Sequence, residues 1–62
     1  MGEYRLYCLN EQGKFAKSHE LEAATDSEAV ERARAMKLPV KCELWSRNRL
    51  VAELPPHQSP GS

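Results

Sequence analysis

Thr25-Asp26-Ser27-Glu28-Ala29-Val30-Glu31-Arg32-Ala33-Arg34-Ala35-Met36-Lys37-Leu38-Pro39 is the stretch on which the fold turns. Thr25 followed by Glu28 has the form of a capping box. The Thr25 hydroxyl is placed to accept from the backbone N–H near Glu28, and the Glu28 carboxylate to reach back to the cap residue. Beyond the cap, Ala29, Val30, Ala33 and Met36 recur at helical spacing and form one apolar stripe. Glu28 and Arg32 are an i,i+4 pair in the favourable order. Acids crowd the first turn, while Arg34 and Lys37 fall in the last, which suits the helix dipole. Pro39 closes the element, because the residue before a proline is pushed out of helical geometry. The pattern predicts one helix with a single face to bury.

On either side of this helix the periodicity changes from helical to alternating. From Glu3 to Leu9, Tyr4, Leu6 and Cys8 point one way and Arg5, Tyr7 and Leu9 the other, which is a strand signal. Asn10-Glu11-Gln12-Gly13 reads as a turn, with Asn at its start and Gly supplying a left-handed residue. Phe15 to Ala23 follows as a strand with Phe15, Lys17, His19, Leu21 and Ala23 on one side. Its polar middle predicts an edge strand. After the helix, Val40, Cys42 and Leu44 alternate with Lys41, Glu43 and Trp45. Ser46-Arg47-Asn48 reads as a tight turn, and Leu50, Ala52 and Leu54 alternate with Val51 and Glu53 in a last strand.

The predicted fold class is therefore α+β: a two-layer ββαββ domain over residues 1–54, an antiparallel sheet of two hairpins with the helix on one face. Residues 55–62, which begin Pro55-Pro56, offer no large apolar side chain to bury and are expected to form a disordered Pro/Ser-rich tail. The expected core is Leu6, Cys8, Leu21, Val30, Ala33, Met36, Val40, Cys42, Leu44, Leu50 and Ala52. Strand order is not readable from these patterns.

The chain has 62 residues, of which 40% are hydrophobic and 29% charged, a globular rather than disordered balance. A domain of this length buries roughly 60% of the surface its unfolded chain exposes, so it folds with little margin. Nine basic residues offset nine acidic ones. The zero net charge names no polyanionic partner. No apolar run approaches the length of a membrane span, and the first residues lead directly into a strand pattern without a signal-peptide form. The protein is expected to be cytoplasmic, without membrane association.

The chemistry-bearing residues are few. Cys8 and Cys42 are too sparse for a disulfide scaffold or a four-ligand zinc pattern, and they lack C-x-x-C spacing. They are read as buried thiols that become neighbours if their strands pair. His19 lies in the polar strand, but the adjacent Ser18 points to the opposite face, so no nucleophile stands beside it. His57 falls in the tail. Glu20, Glu22 and Asp26 read as a solvated edge and a helix start. There is no phosphate-binding loop, dinucleotide fingerprint or nucleophile elbow. The sequence thus names no catalytic residue, cofactor-binding residue or metal ligand, and a non-enzymatic protein is expected.

One helix covers one side of a sheet, and the other side is predicted to carry Arg5, Tyr7, Leu9, Lys41, Glu43, Trp45 and Val51. A water-facing sheet side is ordinarily polar. Arg5, Tyr7, Leu9, Trp45 and Val51 are therefore the candidate interaction face, since Trp and Tyr are favoured interface anchors. The competing explanation is cross-strand packing of scattered apolar side chains. The first functional expectation is a small interaction or structural module forming a homodimer, or meeting a protein partner, through this face or an edge strand. The rival is weak single-stranded nucleic-acid binding by the Tyr/Trp/Arg face. Between Arg32 and Arg49 the basic residues outnumber a single acid, Glu43, but helix pairing and the dipole already account for Arg32, Arg34 and Lys37.

Tyr4-Arg5-Leu6-Tyr7, the Glu28-Ala29-Val30 helix start, Glu43-Leu44-Trp45 and Arg49-Leu50-Val51-Ala52 together resemble a family of short uncharacterised alphaproteobacterial proteins with a YRLY…ELW…RLVA pattern. The likeness runs over residues 3–54 and is most specific in the last hairpin. The Ser46-Arg47-Asn48 turn departs from the Gly or Asp expected there. The resemblance implies the same order of elements and a bacterial cytoplasmic setting. It implies no activity and no functional residue.

Overall fold

Thr25 begins the helix as its sequence predicts. Its backbone is extended and its Oγ1 accepts from Glu28 N–H at 3.1 Å. The computed structural model describes residues 2–57, and in it α1 spans Asp26–Ala35. Only half of the capping box forms. Glu28 Oε1 turns along the helix to Arg32, 3.2 Å from Nε and 3.1 Å from Nη2. The single carboxylate faced two partners, and the i,i+4 cation took it. The helix stops before Pro39 is reached. Met36 caps it, and Lys37 enters the left-handed region at φ 51. That conformation normally falls to Gly, because a Cβ is strained there.

Four strands complete the chain: β1 Gly2–Leu9, β2 Phe15–Ala23, β3 Cys42–Ser46 and β4 Arg49–Leu54. The architecture is α+β in the order ββαββ, with all strands in one antiparallel sheet ordered β2-β1-β3-β4. β2 is an edge strand, as its polar middle predicts. β3 begins at Cys42 rather than Val40, since residues 39–40 are still bending away from the helix. In the β1–β2 loop Asn10 Oδ1 accepts from Gln12 N–H at 2.9 Å and Lys14 N–H at 3.0 Å. Gly13 sits at φ 78. This Asn-to-Gly turn is the one its residue types predict.

The core lies between α1 and the sheet. Its buried residues are Tyr4, Leu6, Cys8, Ala23, Ala29, Ala33, Cys42, Leu44 and Leu54. Ala29 and Ala33 are the buried helix positions, and their small side chains let the helix lie close to the strands. Val30, Met36, Leu21, Val40 and Ala52, expected inside, are half-buried against this cluster. Leu50 is the misplaced core residue, at 42% exposure. The cause is a bulge: Leu44 pairs with Ala52 but Trp45 pairs with Leu50, so Val51 is an extra residue in β4. An inserted residue breaks the alternation that would have returned Leu50 to the core side.

Of the segment expected to be disordered over 55–62, residues 55–57 are among those described. His57 N–H donates to Leu38 C=O at 2.8 Å, which ties residues 55–57 to the loop after α1. The rest of that expectation, residues 58–62, lies outside the described residues.

Candidate functional face

The side of the sheet away from α1 is built by cross-strand register. Arg5 stands opposite Glu20 on one side and Trp45 on the other, and Trp45 opposite Leu50. These form one row across all four strands. The next row is Ser18, Tyr7, Glu43 and Glu53. Leu9 pairs with Phe15 at the far end. Of the candidate residues, Arg5, Tyr7, Leu9 and Trp45 thus share this face. Val51 is the bulge residue without a cross-strand partner, half-buried and packed against the core cluster.

Phe15 and Leu50 are the two members the sequence pattern missed. By alternation Phe15 belongs with Lys17, His19 and Leu21, which pair with the core-facing Cys8, Leu6 and Tyr4. A second bulge intervenes, because Cys8 pairs with Lys17 but Leu9 with Phe15, leaving Ala16 extra. Phe15 therefore joins Leu9 and meets the Tyr7 ring edge-on, with centroids 5.9 Å apart at 67°. That is a favourable aromatic geometry. Phe15 at 55% and Leu50 at 42% are the exposed large apolar residues among those described. Each bulge turns one large apolar side chain outward.

The charges on this face are largely spoken for. Trp45 Nε1 donates to Glu43 Oε1 at 3.2 Å. Lys41 Nζ lies 3.9 Å from Glu53 Oε2, which relieves the Glu43–Glu53 opposition. Arg5 Nη2 is 3.4 Å from Glu20 Oε1, a pair in high dielectric worth little to stability. Glu3 stands opposite Glu22 at the β1–β2 end, in a shallow depression of about 540 Å³ bordered by Arg5 and Arg47.

A polar cluster not readable from sequence lies at the edge of the helix layer. Tyr4 Oη donates to Asp26 Oδ1 at 2.7 Å. Arg49 donates to the same carboxylate through both nitrogens, Nη1 to Oδ2 at 3.0 Å and Nη2 to Oδ1 at 3.2 Å. The Arg49 and Tyr4 hydrogen bonds hold the Asp26 carboxyl below its ordinary 3.8. Donation to Asp26 raises the Tyr4 hydroxyl above its ordinary 10.0. The cluster fastens the first turn of α1 to β1 and β4. It is a fastening, since its three hydrogen bonds all run between elements of the fold.

His19 and Ser18 stay apart. His19 pairs with Leu6 and Ser18 with Tyr7, on opposite faces. Among the described residues no group of three or more His, Cys, Asp or Glu side chains is placed to hold a metal ion. No helix among them is long and apolar enough to cross a membrane. The basic residues between Arg32 and Arg49 do not converge. Arg32, Lys41 and Arg49 are engaged by Glu28, Glu53 and Asp26 in three different places. No protein-family model, curated protein or solved structure matches the chain.

Proposed function

We propose that this protein is a small non-enzymatic interaction module, acting in the cytoplasm, whose helix-free sheet face receives a second copy of the same chain. The observation that carries the reading is the outward placement of Phe15 and Leu50 beside Tyr7, Leu9 and Trp45. In a domain this small each large apolar side chain is needed inside, and among the described residues the largest fully buried side chains are Leu6, Leu44 and the small Cys42. Two bulges that send two more outward favour a surface that is covered in use.

A second copy suits the charges as well as the apolar groups. The chain has zero net charge, so two copies meet without long-range repulsion. The face mixes Arg5 and Lys41 with Glu20, Glu43 and Glu53. Two such faces offer each other both signs around an apolar centre. Single-stranded nucleic acid fits less well, because acidic side chains stand in every row near Tyr7 and Trp45. Four strands about 4.8 Å apart and roughly 20 Å long give a face of about 400 Å² per copy. That is about half the area one partner contributes to a standard interface, so the dimer is weak and concentration-dependent.

Sedimentation of the wild type beside Trp45→Lys tests this. The wild-type average mass rises between low and high micromolar concentration, and the variant stays monomeric. Two monomers at high micromolar concentration overturn the proposal. A shift with single-stranded oligonucleotide at low salt, lost steeply on adding salt, points to the nucleic-acid reading instead.

A further inference from the structure

Cys8 and Cys42 stand directly opposite each other in the central strand pair, β1 against β3. Leu9 N–H donates to Lys41 C=O at 2.9 Å, so the ladder bonds fall on residues flanking the two cysteines. They occupy a non-hydrogen-bonded site, where Cα atoms approach to about 4.5 Å and side chains are closest. That separation lies within the range of roughly 4.4–6.8 Å across which a disulfide closes. Both thiols are free and face the core, at 4% and 2% exposure. We propose that Cys8 and Cys42 form an oxidation-dependent cross-strand disulfide, with a hydroperoxide as the oxidant.

The chemistry balances in two steps. One cysteine sulfur attacks a peroxide oxygen, the O–O bond breaks, and a sulfenic acid forms with release of water or an alcohol. The facing sulfur then attacks that sulfur, the S–O bond breaks, and a second water leaves with the remaining thiol proton. Two thiols are oxidised and one peroxide is reduced. Access runs along a groove of about 420 Å³ between the end of α1 and residues 54–57, where Leu38, Val40, Leu54 and Pro55 surround Cys42. A small neutral oxidant suits this route better than a bulky disulfide. Burial and the neighbouring Cys8 push the Cys42 thiol up to about 12, so Cys42 is protonated at neutral pH and reacts slowly.

The bridge would link residues 8 and 42 across the two central strands and constrain the unfolded chain over that span. The full chain is treated with hydrogen peroxide while folded, quenched, denatured and alkylated, then weighed intact. The expected product is a monomer that has lost two hydrogen atoms, takes no alkyl group and is restored by a phosphine reductant. Its melting midpoint rises by on the order of 10 °C or more. Two alkylated cysteines, oxygen addition at the cysteines themselves or a bridge only between chains overturns the proposal. So does an oxidised monomer that melts no higher than the reduced one.

Discussion

Leu44 and Leu50 lie in the same hairpin and on the same phase of the sequence alternation, yet truncating them to alanine should have different consequences. Leu44 is fully buried, while Leu50 keeps 42% of its exposure. Removing three buried carbons at about 0.8 kcal/mol each costs Leu44→Ala about 2.4 kcal/mol in transfer free energy. The cavity left under α1 brings the cost to about 3–5 kcal/mol, since a packed core relaxes only in part. For Leu50→Ala the same carbons are about 58% covered, by difference from the exposure given. The ceiling is then about 1.4 kcal/mol with no cavity. A domain of this size holds roughly 3–9 kcal/mol in all, so Leu44→Ala removes at least about a third of it. The assay is guanidinium denaturation followed by far-UV circular dichroism. It is run at low micromolar protein, so that association contributes nothing. The expected difference between the variants is at least about 1.6 kcal/mol, or about 6 °C or more in melting midpoint. Equal losses, or a larger loss for Leu50→Ala, would mean that the β4 bulge is wrong and Leu50 belongs to the core.

The Asp26 cluster sets an acid limit on stability. Because Arg49 and Tyr4 lower the folded-state pKa of Asp26 below 3.8, its contribution is complete above the unfolded value and is lost as pH falls through the folded one. Asp26→Asn should flatten the pH dependence of the denaturation midpoint below pH about 4, whereas a dependence identical to wild type contradicts the cluster. Tyr4 works in the opposite direction. Its raised pKa means a contribution present below pH 10.0 and lost at more alkaline pH, and Tyr4→Phe should remove that alkaline loss. Lys37 holds a left-handed conformation at the end of α1. Lys37→Gly is expected to stabilise the domain by about 0.5–1 kcal/mol in thermal melts, and a comparable destabilisation would argue against that backbone geometry.

The candidate face was legible in part. Arg5, Tyr7, Leu9 and Trp45 follow from alternation counted outward from the core residues Leu6 and Leu44, which needs only the two-residue period of a strand. Phe15 and Leu50 were not legible, because a bulge inserts a residue without altering the composition of the strand around it. Ala16 and Val51 are ordinary strand residues, and nothing in either marks it as the extra one. Once the phase slips, every residue beyond it changes sides, so the error falls at strand ends. Phe15 opens β2 and Leu50 lies near the start of β4, where few residues remain to reveal the slip.

The amino-acid sequence by itself determined what depends on residues a few positions apart. The Thr25 cap, the Ala29–Ala33 contact stripe, the Asn10–Gly13 turn and the order ββαββ are all of this kind, because propensity, capping and turn chemistry act within one local stretch. Only the tertiary structure decided the order β2-β1-β3-β4, the facing of Cys8 and Cys42, and the Tyr4–Asp26–Arg49 fastening. The β1–β3 pairing that sets the order, the cysteine pair and the fastening each join residues more than twenty positions apart. Which of several pairings wins depends on how the helix and both hairpins bury their apolar sides together, a property of the assembled domain and of no single segment.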